Sequence, residues 1–173
     1  MPNDEPALLA LASAASTQGK FDVAAQYLSE LVNLHSLSPR GKLMAGRLFL
    51  YQPGRKFDQA EDLLRNLVAE FGYRFPFVVK TFAVALASNG KYQDAIAILR
   101  DLSVATGVEL NRFDRLTQGI IAERSGVSEI AKRYYSRCER DDLEGPISTY
   151  HLAQLRLERM ERSLAESHAG ETP

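Results

Sequence analysis

The residues able to do chemistry are few and scattered. The three histidines, His35, His151 and His168, lie far apart, and none sits in a metal-ligand spacing. A zinc protease would need His-Glu-x-x-His on one helix face, and a redox or zinc-ribbon site would need Cys-x-x-Cys; the chain has neither. No nucleophile elbow occurs. Gly41-Lys42 and Gly90-Lys91 lack the rest of a phosphate-cradling loop. The acidic pairs Glu61-Asp62 and Asp141-Asp142 read as exposed helix or loop charge rather than as an acid–base couple. Cys138 is the single cysteine, so an internal disulfide is impossible. The expectation is a chain with no catalytic residues, no metal and no cofactor: not an enzyme.

Composition narrows the class further. Of 173 residues, 45% are hydrophobic and 25% charged, which excludes a wholly disordered chain. The formal net charge of -1 lacks the basic excess of a nucleic-acid binder, so no nucleic-acid partner is expected. Charge is uneven, however. Residues 111–140 hold seven basic and four acidic residues, while residues 141–173 hold three basic and seven acidic. Solvated helix faces explain this; a positive patch for an acidic partner segment is the sharper reading. The start, Met1 to Pro6, is acidic, unlike a secretory signal. The apolar runs Ala7–Ala15 and Phe75–Ala87 are too short to span a bilayer, and Lys80 and Thr81 break the second. No membrane insertion is expected, and the lone thiol suits a reducing, cytoplasmic setting.

A phrase recurs along the chain and supplies the elements. Gly19-Lys20-Phe21-Asp22-Val23-Ala24 precedes Leu28 and Leu31. Arg55-Lys56-Phe57-Asp58-Gln59-Ala60 precedes Leu64 and Leu67, and Gly90-Lys91-Tyr92-Gln93-Asp94-Ala95 precedes Leu99 and Leu102. A weaker copy, Gly126-Val127-Ser128-Glu129-Ile130-Ala131, precedes Tyr135 and Cys138. The alanines at 24, 60, 95 and 131 are spaced 36, 35 and 36 residues apart. The glycine permits a left-handed turn between two helices. The small alanine lets paired helices approach closely, and the residues four and seven beyond it continue the same face. In that register Cys138 is a buried, inert thiol.

An earlier helix should complete each pair. Leu8, Leu11, Ala12 and Ala15 form such a stripe, as do Val79, Phe82, Ala83 and Leu86. Met44, Leu48 and Tyr51 form another, which Arg47 interrupts; Gly119 and Ala122 fit a fourth, while Arg115 and Gln118 do not. The patterns predict helices over 6–17, 21–35, 40–51, 57–71, 76–88, 92–105, 111–125, 128–140 and 147–165. Pro39, Pro76 and Pro146 fall at or near helix starts, where a missing N–H costs little.

This pattern resembles the tetratricopeptide repeat family over roughly Ala7 to Arg140. The best copy is Val79, Phe82-Ala83, Leu86, Gly90, Tyr92, Ala95, Leu99 and Leu102. The family's end-of-repeat proline is missing, with Ser36, Gly72, Gly107 and Leu143 in its place. The resemblance implies an all-α, right-handed superhelix of antiparallel helix pairs. It implies one domain over 1–165, with repeats at about 6–36, 40–72, 76–107 and 111–143. A capping helix would follow at 147–165, then a flexible tail at 166–173.

The resemblance also implies a concave groove lined by the first helix of each pair. In the family's register its partner-binding residues are Phe49, Phe77, Lys80, Val84, Phe113, Leu116, Ile120 and Glu123. The Lys and Asn set with which some members clamp a terminal carboxylate is absent. The implied groove is mostly apolar, which suits a protein or peptide partner such as an amphipathic helix. The expected function is therefore a non-enzymatic interaction module, an adaptor or scaffold. The alternatives are a secretion-type chaperone for an exported client, since Arg74-Phe75-Pro76-Phe77 resembles a stretch in some of them, and a subunit that self-associates.

Overall fold

The computed structural model describes residues 4–34, 37–52, 57–107, 112–140 and 148–169, with side chains described over the same residues except 112–113 and 163–169. Among them the regular structure is entirely helical. The helices are α1 (Glu5–Thr17), α2 (Phe21–Val32), α3 (Pro39–Tyr51), α4 (Phe57–Phe71), α5 (Pro76–Ser88), α6 (Tyr92–Thr106), α7 (Arg112–Arg124), α8 (Ser128–Ser136) and α9 (Thr149–Ala169). A short 3-10 turn, Gly72–Arg74, joins α4 to α5.

Local chemistry sets the starts. The Asp4 carboxylate accepts the Ala7 N–H at 2.8 Å, and Pro6 follows inside the first turn of α1. Ser38 caps α3 by accepting the Gly41 N–H at 3.0 Å, with Pro39 behind it. The turns need glycine: Gly90 and Gly126 sit at φ +80° and +77°, where a Cβ would be strained. Two helices stop early. Helix α2 ends at Val32 rather than 35, and α8 at Ser136 rather than 140. At the end of α8 the N–H groups of Arg137 and Cys138 turn to the i−3 carbonyls of Tyr134 and Tyr135, which closes the helix.

The chain divides into two compact units, Met1–Glu109 and Leu110–Pro173. The boundary lies between the third and fourth repeats, inside the span read from sequence as one domain. In unit one, α1 packs on α2, α3 on α4 and α5 on α6, while α4 against α5 and α1 against α3 join the pairs. In unit two, α7 packs on α8, and α9 lies across both as a cap. Helix α9 runs to Ala169, so the expected tail at 166–173 begins as helix; residues 170–173 lie outside the described residues.

The cores follow the repeat register. Ala24, Ala60, Ala95 and Ala131 are all fully buried. So are the residues that continue their face: Leu28, Leu31, Leu64, Leu67, Leu102 and Tyr135, with Leu99 and Cys138 nearly so. Small residues also serve the first helices. A Cβ on Gly46 of α3 would stand 2.9 Å from Leu64 Cγ, and one on Gly119 of α7 would stand 2.6 Å from Tyr135 Cδ1. In both pairs the second helix is seated where a first-helix side chain is missing.

Ala95→Arg should therefore lower stability by more than about 3 kcal/mol, because it buries an unpaired charge at a tight helix contact. Gln93→Arg, on the exposed face two residues away, should change stability by less than about 0.5 kcal/mol. Urea unfolding of both variants checks the register, and an unchanged midpoint for Ala95→Arg would contradict it.

Candidate functional site

The first-helix face of unit one carries four of the sequence-derived contact residues. Phe49 on α3 and Val84 on α5 are buried, and so is Lys80. All three are interior positions rather than open surface. Phe77, in the first turn of α5, is half-buried. The Arg47 guanidinium lies over its ring, 4.9 Å from the centroid. Arg47 thus does not interrupt its helix stripe as its charge suggests; it is buried, with its cation against an aromatic face. In unit two, Leu116 and Ile120 are buried, and Glu123 is half-buried. The Phe113 side chain lies outside the described residues.

Next to Phe77 the chain exposes aromatic surface that the groove reading passed over. Phe75 is 52% exposed and Tyr73 is also open to solvent. Phe71 meets Phe75 edge-on with ring centroids 5.4 Å apart. The cluster occupies the α4–α5 junction, where Pro76 ends the turn and starts α5. Its sequence signal was the alternation of aromatic residues from Phe71 to Phe77 across a glycine and a proline.

The acidic residues have internal work. Glu61 is a correction to the sequence reading: it is 2% exposed, not a surface charge. From α4 it accepts Asn89 Nδ2 and Lys91 Nζ, each at 2.6 Å, from the α5–α6 turn, and it pairs with Arg65 one helical turn on. Arg65 in turn lies over Phe82, 5.8 Å from its centroid. Burial raises the Glu61 carboxyl, but the bonds from Lys91 and Asn89 and the charges of Lys91 and Arg65 outweigh it and hold the group below the ordinary glutamate range. Glu5 plays a similar part between α1 and α3. It accepts the Ser38 N–H at 2.7 Å and the Ser38 hydroxyl, and any side chain at Gly41 would strike its carboxylate. The companion pair Asp141-Asp142 lies outside the described residues.

Unit two centres on Tyr135. Its hydroxyl donates to Glu123, which also accepts Arg156 Nη1 at 2.9 Å. One carboxylate thereby ties α7 to α8 and α9. Burial is the main reason that the Tyr135 phenol is held well above its ordinary value; the Glu123 charge adds to it and Arg156 opposes it. The phenol stays a donor. His151 is also structural: its Nδ1 lies 2.8 Å from Ser148 Oγ, which accepts the His151 N–H at the start of α9. His35 and the His168 side chain lie outside the described residues. Among the described residues no three His, Cys, Asp or Glu side chains gather as metal ligands, and no helix is long and apolar enough to cross a membrane.

A solved structure titled "MamA MSR-1 C2" is similar to this chain over 93% of its length and 91% of that structure's, with a TM-score of 0.50 and 14% sequence identity. At that identity the likeness concerns the fold alone. No protein-family model and no curated protein matches the sequence. The fold is an all-α array of antiparallel helix pairs, tetratricopeptide-like, with a C-terminal capping helix.

Two measurements test the internal networks. The folded-state pKa of Glu61 lies below its unfolded value, so its stabilisation is complete above the unfolded value and is lost as pH falls through the folded one. Glu61→Gln should cost about 1–2 kcal/mol at neutral pH and flatten the acid limb of stability, read as urea midpoints against pH. In unit two, Gly119→Ala should cost about 1–3 kcal/mol by pressing a methyl group into the Tyr135 ring, as thermal unfolding would show.

Proposed function

We propose that the chain is a non-enzymatic protein-interaction module, an adaptor or scaffold, that binds a segment of a partner protein at the α4–α5 junction of unit one, where the first helix α5 begins. The observation that carries this reading is the uncovered aromatic cluster of Tyr73 and Phe75 beside half-buried Phe77. Large aromatic side chains left open in a group are favoured at protein contacts, where they lose water and gain ring packing. Phe77 is the anchor in this proposal. Phe49, Lys80 and Val84 would shape the floor behind it. Phe113, Leu116, Ile120 and Glu123 hold the equivalent first-helix positions in unit two. An apolar stretch of an amphipathic helix is the partner chemistry that such a surface suits, and self-association would use the same surface.

A secretion-type chaperone is the second reading. It is favoured by the Arg74-Phe75-Pro76-Phe77 stretch, whose Phe75 stands open to solvent. The two readings differ in what they hold: a chaperone retains one exported client, whereas an adaptor retains parts of a larger assembly.

Cross-linked recovery with mass spectrometry would identify the partner, and mass measured against concentration would reveal self-association. Titration calorimetry with that partner then gives the decisive comparison. Replacing Phe75 and Phe77 with alanine should weaken binding by more than about tenfold, as expected for truncated aromatic anchors, with helicity retained. Equal affinity of the folded variant would mean that the partner uses another face.

A further inference from the structure

The turn between α5 and α6 contains a dipeptide with chemistry of its own. Of the chain's five asparagines, Asn89 precedes glycine, whereas Asn3, Asn33, Asn66 and Asn111 precede Asp, Leu, Leu and Arg. Asparagine is thermolabile because the next backbone nitrogen can attack its side-chain carbonyl, and a following glycine, with no Cβ, leaves that nitrogen unshielded. Gly90 is exposed, and a Cβ there would meet only the Tyr92 hydroxyl, at 4.0 Å. Water and solvent base therefore reach the turn.

Contacts in the folded chain oppose that reaction. Asn89 Nδ2 donates to Glu61 Oε2 at 2.6 Å. The Gly90 N–H donates to the Ala87 carbonyl at 3.1 Å, in the turn that ends α5. Ring closure requires both bonds to break. Glu61 is buried and pinned by Lys91 and Arg65, so the acceptor does not travel with the amide.

We propose that Asn89 is a site of spontaneous deamidation, restrained by Glu61, and that its conversion cuts the tie between α4 and the α5–α6 turn. The Gly90 nitrogen gives its proton to solvent base and bonds to Asn89 Cγ. The Cγ–Nδ2 bond breaks, and ammonia leaves with a proton taken from water. Water then opens the cyclic imide at either carbonyl, giving aspartate or isoaspartate with no change of oxidation state. Aspartate replaces a donor with a carboxylate facing buried Glu61, at a helix C-terminus where the dipole also opposes negative charge. Isoaspartate adds a methylene to the backbone of the turn. Hydrolysis does not return the amide, so the joint weakens with the age of the molecule, whichever partner the chain binds.

The test incubates the full chain in mildly alkaline buffer and digests samples with a protease. Chromatography with mass spectrometry then separates the amide, aspartate and isoaspartate forms of the peptide around Asn89. Asn33 and Asn66 are internal references, and in urea Asn89 should convert faster than either. In the native chain its conversion should be at least about tenfold slower than in urea, the effect of one hydrogen bond to a charged group. Glu61→Ala, with helicity retained, should speed native conversion about tenfold by removing that bond. Gly119→Ala, which loses stability in unit two, should not. Asn89→Asp should unfold at lower urea than Asn89→Ala, because the new charge does more harm than the lost bond. If Glu61→Ala does not fold, the native-against-urea comparison and the two Asn89 variants decide. The proposal is overturned if Asn89 fails to convert in urea, or converts as fast in the native chain. It is also overturned by equal native rates in Glu61→Ala and wild type, by an equal rise in Gly119→Ala, or by Asn89→Asp as stable as Asn89→Ala.

Discussion

Close approach of two helices at a small side chain is the constraint on which the rest of this molecule depends. Ala24, Ala60, Ala95 and Ala131 are sealed from solvent at one equivalent point of each second helix. Around them the larger residues four and seven positions on can reach the core only if the helices are that close. The first helices make the same concession at Gly46 and Gly119, where the side chains of Leu64 and Tyr135 occupy the space that a Cβ would claim. An interior packed this densely has no slack for a methyl group, let alone a charge. Aligned apolar stripes alone would allow many helix arrangements; small residues at fixed points leave one.

Carboxylates do a second kind of work, tying a helix to elements beyond its own pair as well as within it. Glu5 joins α1 to the start of α3, and Glu61 joins α4 to the turn between α5 and α6. Glu123 joins all three helices of unit two. Each meets more than one donor, and for Glu61, the buried one of the three, this is the condition under which the anion is tolerated. The acids that composition would assign to the surface are thus partly structural, and the chemically able side chains near them act as fasteners.

Much of this was legible in the sequence because it rests on short-range pattern. The alanine spacing placed the second helix of every pair, and Pro39 and Pro76 marked the starts of α3 and α5. The buried place of Cys138 followed from the same register. What was not legible depends on neighbours distant in the chain. Glu61 meets Asn89 and Lys91 some thirty residues away, so its charge read as solvated. Arg47 read as an interruption because its ring partner, Phe77, lies in the next repeat. The first-helix positions Phe49 and Val84 read as groove lining, because periodicity gives the side of a helix but not what covers it. The aromatic cluster at Phe75 belongs to a turn, and turns follow no helical period.

Thiol labelling tests the helix contacts most directly. A cysteine placed singly at Ala24, Ala60, Ala95 or Ala131 adds one sulfur atom, which costs stability at so tight a contact but leaves the thiol reachable only by unfolding, and Val104→Cys supplies an exposed reference on α6. With Cys138 replaced by alanine, the four buried thiols should react at least ~100-fold more slowly than the reference under native conditions, and at similar rates in urea, as for sites reached only by unfolding. Native labelling of any of the four at the rate of the reference would contradict the close helix contact from which the fold is built.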